Sequence, residues 1–139
     1  MVTSAQALNK YGEPSETNPH MTLWDVPTEL EIGLIPKRLY CNKDLVIPLA
    51  SAFRKLIDTG YVKEIKTWDG CFNIRKKRGL TSMSLHSWGI AVDINAFENG
   101  LGVQPKLSAG FVNCFTSSGF DWGGTWTRLD GMHFQLSKI

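Results

Sequence analysis

The sequence predicts an α+β domain: a small, largely antiparallel sheet with helices packed on one face. Three observations point to it. Apolar and polar residues alternate from Ile90 to Asn95 and again from Met132 to Leu136, the period of half-buried strands. Leu45, Leu49, Phe53, Leu56 and Ile57 instead recur at helical spacing. Between them, Val62, Ile65, Thr67 and Trp68 give Tyr61–Trp68 the β-branched and aromatic content of a further strand.

In chain order, residues 1–40 read as an irregular wrapping segment, because Pro14, Pro19, Pro27 and Pro36 interrupt any long periodicity. Leu23, Trp24, Val26, Leu30, Ile32, Leu34 and Ile35 are too apolar for a free tail, so this segment is expected to pack on the core at 41–139. Asn42 or Asp44 can cap a helix running to about Thr59, with Pro48 tolerated in its first turn and Gly60 as the stop. The strand at 61–68 is expected to end at the turn pair Asp69-Gly70. Asn99-Gly100 and Gly102 mark a loop, after which Ser108 can cap a helix carrying Phe111, Val112 and Phe115.

A length of 139 residues fits one domain with a single core, and 42% hydrophobic with 20% charged residues is the composition of an ordinary globule. The net charge of +2 is too small to imply a nucleic-acid partner. No apolar run has the length of a membrane span, and the opening Met1-Val2-Thr3-Ser4-Ala5-Gln6 lacks the regions of a secretory signal, so synthesis in a cytoplasm is expected. Cys41, Cys71 and Cys114 are odd in number and widely spaced; buried free thiols are expected, and nothing supports a Cys41–Cys71 bridge.

The chemistry lies in Ser84-Leu85-His86-Ser87-Trp88-Gly89-Ile90-Ala91-Val92-Asp93 and in Asp130-Gly131-Met132-His133. On alternating strands Asp93 and His133 fall on the polar faces, and Gly89 permits a sharp turn between His86 and the first strand. If the two strands are neighbours, His86, Asp93 and His133 converge. Two histidines and a carboxylate are what a catalytic zinc takes from a protein, leaving a fourth position for water. Asp130, one glycine before the second strand, is placed to accept that water's proton. His20, with no partnered carboxylate, reads as a packing or surface residue. Each of the site residues alone is more often structural; their joint spacing argues for a metal.

Ser84-x-His86-x-x-Gly89-x-Ala91-x-Asp93 followed by Asp130-x-x-His133 resembles the zinc signature of the D-alanyl-D-alanine and L-alanyl-D-glutamate metallopeptidases, relatives of the hedgehog signalling fold. Similarity to phage peptidoglycan endopeptidases extends through Asn42–Leu45, Trp68–Arg75 and Gly119–Trp126, covering roughly residues 40 to 137. The resemblance implies a hedgehog/DD-peptidase-like fold, Zn2+ as cofactor and a peptidoglycan stem peptide as substrate. It implies cleavage of the L-alanyl-D-glutamate bond by a phage endolysin acting on the bacterial cell wall. It places an arginine at position 75 beside the zinc, where a guanidinium could hold a substrate carboxylate or carbonyl oxygen. Arg78 competes for that role, while Lys76 and Lys77 read as a solvated run. Related dipeptidases carry Glu where this chain has Asp130, so the shorter side chain requires a closer backbone approach.

Ser84 is a candidate substrate contact or a turn cap. Trp122 and Trp126 flank two glycines, and one of them is expected to line the substrate cleft. A monomer is expected, with no membrane insertion. The alternatives are a D-alanyl-D-alanine carboxypeptidase, a non-catalytic zinc-binding interaction module, against which Asp130 argues, and, ranked last, a metal-dependent nuclease. A serine-hydrolase reading fails because Ser84 lacks a nucleophile elbow.

Overall fold

The computed structural model describes residues 1–139 and is α+β. Its elements are α1 (Ser4–Tyr11), β1 (Met21–Asp25), β2 (Arg38–Asn42), α2 (Val46–Thr59), β3 (Trp68–Gly70), β4 (Ala91–Ile94), α3 (Ala109–Thr116), β5 (Phe120–Trp122) and β6 (His133–Leu136). β1 and β2 form a separate antiparallel pair, and the main sheet is antiparallel in the order β3-β4-β6-β5. None of the helices is long and apolar enough to cross a membrane.

The alternation read from the sequence decides which face of the main sheet is covered. Ile90, Val92, Ile94, Phe134 and Leu136 are buried together with Leu49, Ala52, Phe53 and Leu56 of α2 and Phe111 and Phe115 of α3. Phe134 is the hub: its ring centroid lies 4.4 Å from that of Phe115 and 6.3 Å from that of Phe111. Apolar burial of this kind is the main driving force for the fold, and it turns the odd-numbered side chains Asp93 and His133 to the opposite face. β4 and β6 are direct neighbours, with Asp93 opposite His133 and Ala91 opposite Gln135.

The helix boundaries follow local chemistry. Asn42 caps a short 3-10 turn, its side chain accepting from the Asp44 amide at 2.9 Å, before α2 begins at Val46 with Pro48 in its first turn. Gly60, at φ +83°, stops α2 in the left-handed conformation that costs glycine least. Ser108 accepts from the Phe111 amide and caps α3.

Two expectations are corrected. Residues 1–40 are not irregular: Thr3 and Gln6 form a capping box for α1, and Met21–Asp25 pairs with Arg38–Asn42. All four prolines lie between these elements, where they delimit structure. The second correction concerns Tyr61–Trp68. Tyr61–Glu64 is a 3-10 turn, and the strand runs instead from Trp68 to Gly70, through the pair expected to end it. Asn95 accounts for the difference. Its Oδ1 accepts from the Lys66 and Thr67 amides at 2.7 and 3.1 Å, and its Nδ2 donates to the Glu64 carbonyl at 2.7 Å. These side-chain bonds satisfy a backbone that a ladder would otherwise have to satisfy.

The three cysteines are free and buried. Burial pushes the Cys41 thiol up to about 12, so it stays protonated and unreactive.

Candidate metal centre

His86 sits in the 3-10 turn Leu85–Trp88, which Ser84 caps through its hydroxyl and Gly89 (φ +66°) ends. Gly89 is required there, since a Cβ would come within 2.7 Å of the Asn42 amide nitrogen. This turn delivers His86 to the open face beside β4. His86 Nε2 lies 3.1 Å from Asp93 Oδ2, and His133 Nδ1 lies 3.4 Å from Asp93 Oδ1. One candidate ligand atom from each residue lies within 4.8 Å of the others.

The outer contacts fix which ring nitrogen is free. His86 Nδ1 donates to the Cys71 carbonyl at 2.7 Å, leaving the Nε2 lone pair aimed at Asp93. His133 does the reverse, its Nε2 donating to Gln135 Oε1 at 3.0 Å and its Nδ1 left free. Both rings are thus held as metal-binding tautomers, with partners of the kind that orient metal-ligating histidines.

The residues fit a zinc ion on this geometry. His86 Nε2 and Asp93 Oδ1 are buried without a hydrogen-bond partner, a costly arrangement unless something else satisfies them. Although His86 and Asp93 are close, their approach lacks the direction of a hydrogen bond. Neighbouring ligands on a tetrahedral zinc lie roughly 3.3 Å apart, given bonds of about 2.0–2.1 Å. The two His–Asp separations, each to a different oxygen of Asp93, are of that order. For Asp93, burial opposes the charged form, but when the imidazoles are protonated toward it their hydrogen bonds and positive charge outweigh burial and hold the carboxyl below its ordinary range, the place that a metal cation would take over. It is therefore an anion ready to bind a cation.

Asp130 lies in the same cleft, its Oδ2 3.9 Å from His133 Nδ1. Burial raises its carboxyl above the ordinary value, partly offset by the His133 and Arg75 charges. Its position depends on Gly123, whose carbonyl accepts from the Asp130 amide at 3.0 Å. A Cβ at Gly123 would come within 2.4 Å of the Asp130 carbonyl oxygen, so only glycine leaves room for the Asp130 turn at this point.

The cleft has a volume of about 590 Å³, and Asp93, Asp130 and His133 lie along it with Arg75, Arg78, Ser84 and Trp126. Trp126 packs on His133 with ring centroids 5.5 Å apart. Trp122 does not line this cleft; it stacks on Phe134 and donates from its indole to the Gly131 carbonyl at 2.7 Å, bracing the turn that carries Asp130. Its apolar partner in the core outcompetes the cleft. Ser84 is 4% exposed and serves the turn as a cap. Both Arg75 and Arg78 face the cleft, and Lys77, expected on the surface, lines it as well. Gln135 and the Cys71 carbonyl were not singled out from sequence; the one available signal was that Gln135 shares the face of His133.

Two histidines and an aspartate on the open face of the sheet, with a further carboxylate beside them, suit a metal-dependent hydrolase. A family model described as D-alanyl-D-alanine carboxypeptidase matches residues 77–136, so this segment is similar to the DD-peptidase-like zinc metallopeptidases. The matched segment contains Ser84, His86, Asp93, Asp130 and His133 and leaves Arg75 just outside. No curated protein and no solved structure matches the chain.

The Gln135 contact makes a prediction. Gln135→Leu removes the acceptor that fixes the His133 tautomer, so zinc affinity is expected to fall about 10- to 100-fold. Chelator competition on the folded variant measures this, and an unchanged affinity would show that Gln135 does not orient the ring.

Proposed function

We propose that this protein is a zinc-dependent peptidase that cleaves the L-alanyl-D-glutamate bond of peptidoglycan stem peptides. Its proposed setting is a phage endolysin, made in the host cytoplasm and acting as a monomer on the bacterial wall. The observation that carries the reading is the convergence of His86 Nε2, Asp93 and His133 Nδ1, with Asp130 beside them in one cleft.

In this reading His86, Asp93 and His133 hold the zinc. A zinc held there would supply Lewis-acid chemistry, polarising a carbonyl and acidifying a water near neutral pH. Asp130, as carboxylate, takes the proton of the attacking water and returns it to the departing amine. Arg75 orients the peptide and places positive charge where the oxyanion develops. Trp126, against His133, forms an apolar wall that keeps bulk water from that side.

The competing bond is a terminal D-alanyl-D-alanine linkage, favoured by the description of the matching family. Mass spectrometry of peptidoglycan fragments, with and without a chelator, separates the two. New L-alanine carboxyl and D-glutamate amino ends, absent when zinc is removed, are the expected result. Release of terminal D-alanine would assign the carboxypeptidase reaction instead.

A further inference from the structure

Four cationic side chains, Arg75, Lys77, Arg78 and Arg128, line the cleft, against two carboxylates, Asp93 and Asp130. None of the four makes an ion pair with a carboxylate anywhere in the structure. That is unusual placement for charge in a chain whose net charge is +2, because cations gathered without counterions repel one another.

Two loops carry them. Residues 76–83 form a tight hairpin, closed by the Lys76–Met83 bridge and by the Lys77 amide donating to the Ser82 carbonyl at 2.9 Å. Ser4 braces its base, donating to the Met83 carbonyl at 2.6 Å. The other loop, 125–130, faces it, and the Arg128 guanidinium reaches across to donate to the Arg78 carbonyl. That bond uses part of a group that offers five N–H donors. The remaining donors of Arg128, with the whole guanidinium of Arg78, stay at the cleft margin without an anion.

We propose that Arg78 and Arg128 form a carboxylate clamp that makes this cleft selective for acidic peptides, binding a free carboxylate that flanks the scissile bond. This rests on the proposed peptidase reading and names its substrate class. Guanidinium donors recognise carboxylates with charge-assisted, often bidentate bonds, so selectivity against the uncharged amide is the expected signature. Lys77, half-buried in the same lining, adds attraction at longer range. The clamp is separate from Arg75, whose charge acts on Asp130.

The test uses zinc-loaded protein and pairs of stem peptides that differ solely in bearing a glutamate α-carboxylate or its carboxamide. Binding is read by calorimetry, and hydrolysis is read separately on the same peptides by mass spectrometry. The wild type is expected to bind the carboxylate form about tenfold more tightly or better. An Arg78→Gln/Arg128→Gln double variant is expected to lose that preference while keeping its affinity for the amide, its zinc content and its melting temperature. Lys76→Gln, at an exposed position outside the cleft, should change nothing. Equal wild-type affinity for the two peptides, or an equal loss for both in the double variant, would overturn the clamp. Retained carboxylate preference without cleavage of the L-alanyl-D-glutamate bond would support the clamp and count against the proposed bond.

Discussion

Replacing Asp130 by alanine is expected to lower kcat by about 10²- to 10⁴-fold while zinc content and fold are kept, the loss typical of removing a positioned general base. The expectation rests on separation within the site. Asp130 Oδ2 is 3.9 Å from His133 Nδ1, whereas Asp93 lies between both histidines at 3.1 and 3.4 Å. Asp130 thus stands beside the ligand cluster and outside it. Asp130→Asn offers a second check, since it keeps the shape but cannot take a proton. Metal analysis and turnover measured on the same preparations decide the matter: near-normal turnover would place the base elsewhere, and lost zinc would make Asp130 a ligand.

The second large effect is expected at His133. His133→Ala should lose zinc and activity together, because two protein ligands hold the ion poorly. A stability measurement gives an independent readout. A metal that binds the folded state alone stabilises it by mass action, so added zinc should raise the wild-type melting temperature and leave that of His133→Ala nearly unmoved. Full zinc stoichiometry in the variant would refute the ligand assignment. The variant also leaves Gln135 without its partner, which has a smaller cost than the loss of an ion.

What was legible in the sequence follows the strength of the local signal. The alternation around Val92 and Phe134 placed Asp93 and His133 on one face because a period of two leaves little choice once the other face is buried. Helix α2 was readable from its apolar spacing and its glycine stop. The helix at Ser4–Tyr11 was not, since it buries only Ala7 and Tyr11 and offers too few apolar positions to show a period. Tyr61–Trp68 misled for another reason: its β-branched and aromatic residues favour a strand, but Asn95, some thirty positions away, supplies the hydrogen bonds that fix a turn. Tertiary partners of that kind are invisible to local reading. Trp122 belongs with them, because neither spacing nor residue type could tell a tryptophan that packs on Phe134 from one that faces the cleft.

The contact between Gly123 and Asp130 fixes where the carboxylate stands. With nothing projecting from position 123, the two backbones lie close enough for the Asp130 amide to reach the Gly123 carbonyl. A side chain at 123 would press on the Asp130 carbonyl oxygen and push its turn outward, carrying the carboxylate away from His133. A change at a position with no side chain in the cleft would therefore be felt inside it.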